Sequence, residues 1–290
     1  MKIALVTRSN LPDWEVDDRP LHAAFADLGV ELCHPAWDDR DFDWTACDAA
    51  LMRTTWDYQD RRDEFLAWAR RVAAAIPLYN PLPVIRWNTD KTYLRDLQSR
   101  GVTTIPTVWL NAGTTVDVGS ALAARGWKRA FLKPAIGATA RETLRFQTDR
   151  AGIEQAERHI ARLLPTEDLL LQPYLPSVER VGELSLIFID RQFSHAVRKV
   201  PVPGDYRVQD DFGASDEPAR VNANLVEMAL DIVNTVQHDL LYARVDFLRD
   251  EHDRLCVSEL ELVEPSLFFR HCPEAAPRLA AALLARLSCR

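Results

Sequence analysis

Short apolar runs alternate with helix-period segments from residue 2 to residue 79, and that alternation limits the start of the chain to very few architectures. Runs at 2–7, 30–34, 49–53 and 77–79 predict strands, and 19–28 and 61–75 predict helices among them. Strands and helices in that order build a small open α/β sheet, in which ligands bind beyond the carboxyl ends of strands. Two polar clusters fall at such ends: Arg8-Ser9-Asn10 after the first strand and Arg53-Thr54-Thr55-Trp56-Asp57-Tyr58 after the third. Each reads equally well as an ordinary loop or as a substrate contact. The opening run meets Arg8 too early to be a signal-peptide core or a membrane span.

Asn80-Pro81-Leu82-Pro83 punctuates the chain and predicts a hand-over to a second part. A helix at 89–100 closed by Gly101, a strand at 107–110, a helix at 118–125 and a strand at 130–133 follow. Strands at 143–147 and 168–172 then flank a helix at 153–164, a compact unit able to move as a lid. The last third reads as strands at 184–189 and 195–200, an irregular stretch at 201–216, a helix at 222–237, strands at 241–248 and 255–262, and a helix at 274–287. The predicted division is a first lobe at 1–82, a connecting segment at 83–126, the lid at 127–175 and a final lobe at 176–290. The class is α/β (α+β).

Charge narrows the partners. With 43 acidic and 35 basic residues the net charge is −8, without the basic excess that nucleic acid or an anionic membrane requires. Cys33, Cys47, Cys256, Cys272 and Cys289 are odd in number and form no CxxC pair, which fits a reducing cytoplasm better than a disulfide framework or a zinc site. No histidine falls in a metal-binding spacing such as HExxH, and none is assigned a role.

Chemistry concentrates in three places. Lys133 ends an apolar strand and is followed by the small-residue loop Pro134-Ala135-Ile136-Gly137-Ala138-Thr139, whose backbone can approach phosphate oxygens while the lysine supplies positive charge. Lys91, in Asn88-Thr89-Asp90-Lys91, is predicted in the first turn of a helix, where the macrodipole disfavours a cation and an anionic partner would relieve it. Asp246 and the pair Glu259 and Glu261 lie in consecutive strands, and period two puts the two glutamates on one face. If those strands form a hairpin, Asp246 joins them. Two readings fit that cluster: a Mg²⁺ site bridging carboxylates to phosphates, or an acidic sheet edge that blunts aggregation.

Taken in chain order, residues 88 to 266 resemble the ATP-grasp superfamily, in its glutathione-synthetase-like branch. The resemblance implies an ATP-grasp fold: an N-terminal pre-ATP-grasp lobe and a nucleotide held between two sheets. It implies that Lys91, Lys133, Gly137 and Thr139 serve the phosphates, that Gln172, Tyr174 and Leu175 form the adenine hinge, and that Glu183 binds ribose. Arg198 or Lys199 would face the γ-phosphate; being neighbours on a strand, only one can. Arg207-Val208-Gln209 is similar to an Arg-x-Asn element, and Asp246, Glu259 and Glu261 to the metal ligands. Two positions depart from the family pattern: Glu261 stands where asparagine is usual, and the loop around Thr139 is poorer in glycine.

The stretches Asp17-Asp18-Arg19-Pro20-Leu21, Arg53-Thr54-Thr55-Trp56-Asp57-Tyr58 and Glu264-Pro265-Ser266-Leu267-Phe268-Phe269 further resemble the cyclo-ligases that form D-cycloserine from O-ureido-D-serine. That resemblance implies an ATP- and Mg²⁺-dependent ligase (with Mn²⁺ as a substitute) that activates a small amino-acid-like carboxylate as an acyl phosphate and closes a ring. Arg8, Arg53, Asp57 and Gln209 are then expected to hold the substrate, with Arg198, Lys199 and Arg207 assisting transfer. Two other readings stand beside it: a ligase joining a carboxylate to a separate amine, and a nucleotide sensor without turnover.

Overall fold

The computed structural model describes residues 1–9, 11, 16–208 and 212–289. Strand β1 (Lys2–Thr7) lies between β2 (Glu31–Cys33) and β3 (Ala49–Thr54), with β4 (Leu78–Tyr79) beyond β3, all parallel. Its side chains alternate between two cores. Ile3 and Leu5 pack towards helix α1 (Arg19–Asp27), Ala4 and Val6 towards helix α2 (Arg62–Ala75). A parallel sheet covered on both faces explains why β1 and β3 read as unbroken apolar runs.

The hand-over at 80–83 is not merely a loop. Helix α3 (Leu82–Asn88) starts there, with proline in its first turn, and a second short helix, α4 (Tyr93–Ser99), follows. The helix expected at 89–100 is thus confined to 93–99, and the one at 82–88 was not expected, because proline suits a helix start as well as a turn. Buried Asn80 and Asn88 clamp this connection: their side-chain amides donate to the carbonyls of Tyr242, Leu262 and Leu260 and accept from the amides of Leu241 and Leu262.

An antiparallel sheet in the order β5-β8-β6-β7 comes next, built from β5 (Val108–Leu110), β6 (Arg129–Pro134), β7 (Leu144–Gln147) and β8 (Leu169–Pro173), with helices α5 (Val118–Ala123) and α6 (Arg150–Leu163) on one face. On β6, Ala130 and Leu132 enter that helical core while Phe131 and Lys133 point the other way. After the short helix α7 (Ser177–Arg180), β9 (Glu183–Ile189), β10 (Gln192–Val200), β11 (Ser215–Ala219), β12 (Tyr242–Arg249) and β13 (Leu255–Glu261) make a second antiparallel sheet, ordered β11-β10-β9-β12-β13. Strand β11 partly replaces the irregular stretch expected at 201–216. Its polar SDEPA sequence, with Pro218, is tolerated because it is an edge.

Helix α8 (Ala223–Asn234) covers one face of this sheet through Ala229, Ile232 and Val233. Helix α9 (Ala275–Ser288) packs between α1 and β9 and joins the first sheet's core to the last. Among the described residues no helix is long and apolar enough to cross a membrane.

Candidate active site

A cavity of about 350 Å³ separates the two antiparallel sheets. Phe131, Lys133 and Gln172 line it from one sheet; Glu183, Lys199, Asp246, Glu259 and Glu261 line it from the other. Ile105, Phe131, Leu175, Val178 and Leu248 give it an apolar end. Moving two residues at a time along β12, from Leu248 to Asp246 to Arg244, the wall turns from apolar to charged. The far end is closed by Trp56, Tyr58, Glu264, Ser266 and Phe268.

The charged section follows from strand register. Strands β12 and β13 pair as the expected hairpin, Asp246 opposite Glu259 and Arg244 opposite Glu261, with a bulge beside Asp246. Bulges of this kind re-aim side chains near sites. Lys133 Nζ lies 3.4 Å and Lys91 Nζ 3.5 Å from the same Glu259 Oε1, although the two lysines come from different elements. Lys91 is not inside a helix: it sits in the turn between α3 and α4, its amide bonded to the Ala135 carbonyl (2.8 Å) and its Nζ to the Gly137 carbonyl (2.6 Å). The loop after Lys133 is thus tied to Lys91. Thr139 and Ala140 in that loop hold φ of 49° and 55°, so it takes a backbone shape usually left to glycine without containing the extra glycines.

Of the neighbours on β10, Lys199 faces the cavity, 2.6 Å from Glu183 and 3.1 Å from Asp246. Arg198 points to the opposite face and pairs with Glu217 on β11. Glycine is required at 182, where φ is 87° and a Cβ would lie 2.4 Å from the Lys199 carbonyl; this close approach sets Glu183 beside Lys199. Asp246, 1% exposed, accepts from Ser185, Lys199 and Arg244. Burial alone would raise its pKa, but Arg244 and Lys199 outweigh burial and hold the carboxyl well below its usual range. Burial also opposes ionisation of Glu259, and Lys91 and Lys133 reverse the sign. Burial lowers Lys133, with Glu259 resisting. For Glu261, burial and the neighbouring Asp246 and Glu259 prevail over Arg244 and push the carboxyl up to about 7.

Thr139, Tyr174, Leu175 and Arg207 also line the cavity. The Gln172 amide donates to Thr107 Oγ1 at 2.9 Å, the Tyr174 hydroxyl bonds Glu179, and Arg207 is held by Asp205 and stacks on Phe212. Gln209 lies outside the described residues. Three expected substrate contacts are elsewhere. Arg53 is 1% exposed and bidentate to equally buried Asp18, because it projects into the core behind the sheet rather than from its carboxyl end. Asp57 accepts from Trp37 Nε1 at 2.8 Å, which turns it away from the cavity. Arg8, half-buried, is not among the lining residues, and among the described residues its Nε has no hydrogen-bond acceptor.

Arg244, Glu264 and Arg141 are charged lining residues to which motif reasoning gave no role. Arg244 was within reach, since it sits two residues before Asp246 and must share its face. It contacts Asp246, Glu261 and the Ser266 carbonyl, and its guanidinium lies 5.6 Å from the Phe268 ring centroid. Among the described residues no three carboxylate, His or Cys groups converge as a metal cluster; a base lies against each of Asp246, Glu259 and Glu261. Their donor set is nevertheless all oxygen, the set that Mg²⁺ takes.

Residues 3–80 match the family described as the D-cycloserine synthetase DcsG N-terminal domain. The cycloserine biosynthesis protein DcsG of Streptomyces lavendulae is 36% identical, with 98% of each chain covered. A crystal structure of D-cycloserine synthetase DcsG superposes with a TM-score of 0.87 at 33% identity, over 99% of this chain and 100% of that one. A RimK domain ATP-grasp protein from Sphaerobacter thermophilus shares the fold alone, with a TM-score of 0.70 at 18% identity over 98% and 100%. The chain belongs to the DcsG family and has the ATP-grasp fold.

Proposed function

We propose that this ligase uses Mg·ATP to activate the carboxylate of a small amino acid as an acyl phosphate, and that the amino acid is O-ureido-D-serine. Its oxygen-bound ureido nitrogen displaces phosphate to close the ring, and water removes the carbamoyl group as carbamic acid, which decomposes to CO2 and ammonia, leaving D-cycloserine. One observation carries the reading: two lysines from separate elements converge on Glu259 midway between an apolar pocket end and an end rich in hydrogen-bonding groups. Such a layout suits a molecule with a flat apolar head, an anionic middle and a polar acceptor beyond it. Similarity to DcsG along the whole chain supports the substrate.

In this reading the apolar end takes adenine beside Gln172, Tyr174 and Leu175, with Glu183 at the ribose. Lys91 and Lys133 exchange Glu259 for phosphate oxygens, joined by the backbone around Gly137 and Thr139. Asp246, Glu259 and Glu261 would hold Mg²⁺, or Mn²⁺, which when bound would neutralise charge between carboxylate and phosphate. Lys199 and Arg244 add fixed positive charge where negative charge accumulates, and Arg207, also lining the cavity, would add to it on leaving Asp205. Exclusion of water protects the acyl phosphate from hydrolysis.

Phosphate release combined with mass spectrometry tests the reaction. Release with O-ureido-D-serine as sole amino acid, one phosphate per D-cycloserine, is the expected result. Release only when a second amine is added would replace cyclisation by intermolecular ligation, and ATP binding without release under any pairing would favour a sensor.

A further inference from the structure

Glu264 differs from every other carboxylate lining the cavity. Glu183, Asp246, Glu259 and Glu261 each have a lysine or arginine nitrogen within 4 Å, whereas among the described residues Glu264 forms no ion pair. Its side chain faces the Tyr58 hydroxyl, and burial followed by repulsion from Glu261 pushes it up to about 8, with Tyr58 and Lys91 too weak a counterweight to reverse the shift. Without a counter-ion the ionised form is disfavoured, and a cation arriving from outside would favour it.

The backbone beneath it is fixed. Three consecutive carbonyls are pinned: Glu264 accepts from Trp56 Nε1 (2.9 Å), Pro265 from Arg53 (3.2 Å) and Ser266 from Arg244 (3.1 Å). Glu264 also lies three residues beyond Glu261, farther from the apolar end than the carboxylates proposed to hold the metal. Its place is at the acceptor end, on a preorganised loop.

We propose that Glu264 is the specificity residue that binds the ammonium group of the amino-acid substrate. The assignment rests on the ligase reading above and deepens it by requiring a free α-amine. Glu264 releases its proton to solvent as the substrate's ammonium becomes its counter-ion, with Tyr58 donating to one carboxylate oxygen and the ligand to the other.

The experiment is calorimetric binding of O-ureido-D-serine, and of the same molecule lacking the α-amine, to the full chain with a non-hydrolysable ATP analogue and Mg²⁺. Glu264→Gln, which keeps the shape and the Tyr58 contact, is expected to weaken the amine-bearing ligand about tenfold to a hundredfold, the factor a charge-assisted hydrogen bond carries, and to leave the des-amino ligand and the nucleotide unchanged. Tyr58→Phe should keep the preference for the amine. Equal weakening of both ligands by Glu264→Gln, or Tyr58→Phe abolishing the preference to the same degree, would make Glu264 a structural partner of Tyr58 and overturn the assignment. Failure of the wild type to bind O-ureido-D-serine would instead overturn the substrate reading, and this inference with it.

Discussion

Two buried charge networks of similar composition have different surroundings. In the first lobe Arg53 and Asp18 form a bidentate pair, each side chain 1% exposed, packed against Tyr242. In the last sheet Lys199, Asp246 and Arg244 are nearly as buried, at 9%, 2% and 7%. The first network ends within the core on a backbone carbonyl, Pro265, with Arg53 Nη1 left without an acceptor among the described residues. The second opens onto a cavity and continues through Glu183, Glu261 and Glu259 to Lys91 and Lys133. Burial and charge therefore do not separate scaffold from site; access to a cavity with further, uncompensated charge does.

Breaking each network should sharpen that contrast. Arg53→Ala strands Asp18 in the core and is expected to cost about 3–5 kcal/mol of stability, read as an earlier denaturation midpoint. A midpoint unchanged within about 0.5 kcal/mol would mean that the pair is not structural. Lys133→Met and Glu259→Gln should instead lower turnover about 10²- to 10³-fold, as removal of a preorganised charged group does, with the unfolding transition preserved.

A smaller effect is set by Glu261. Its carboxyl, raised to about 7, binds a proton as pH falls, and that proton competes with a metal ion. Apparent Mg²⁺ affinity should drop about tenfold between pH 8 and pH 6, and Glu261→Gln should flatten the dependence. Smallest of all, Arg198→Ala removes an exposed pair with Glu217 and should change stability by less than about 1 kcal/mol and turnover by less than twofold. A large loss of activity would contradict the assignment of its face.

The contrast also explains what the sequence disclosed. The strands and the longer helices were legible because apolar periodicity reports burial directly, whereas the β12–β13 hairpin was only a condition that alternation on both strands allowed. Lys91, Lys133, Asp246, Glu259 and Glu261 stood out because charged residues at strand ends or in alternating positions are costly unless used. Arg53 misled because loop position says nothing about which way a side chain turns, and its partner Asp18 is 35 residues away. Glu264 was hidden for the opposite reason: its significance is a missing partner, visible only when the neighbours that surround it in space are known. The helix at 82–88 was lost to its prolines, which mark turns and helix starts alike.

The central claim is that the cavity where Lys91 and Lys133 share Glu259 is the Mg·ATP site. Calorimetric titration of ATP in the presence and absence of Mg²⁺ tests it most directly. The wild type is predicted to bind one nucleotide per chain in a Mg²⁺-dependent manner, with affinity at least about tenfold weaker in both Lys133→Met and Glu259→Gln, as expected where a charge-assisted contact is lost. Undiminished Mg²⁺-dependent binding by both variants would place the nucleotide elsewhere and contradict the account.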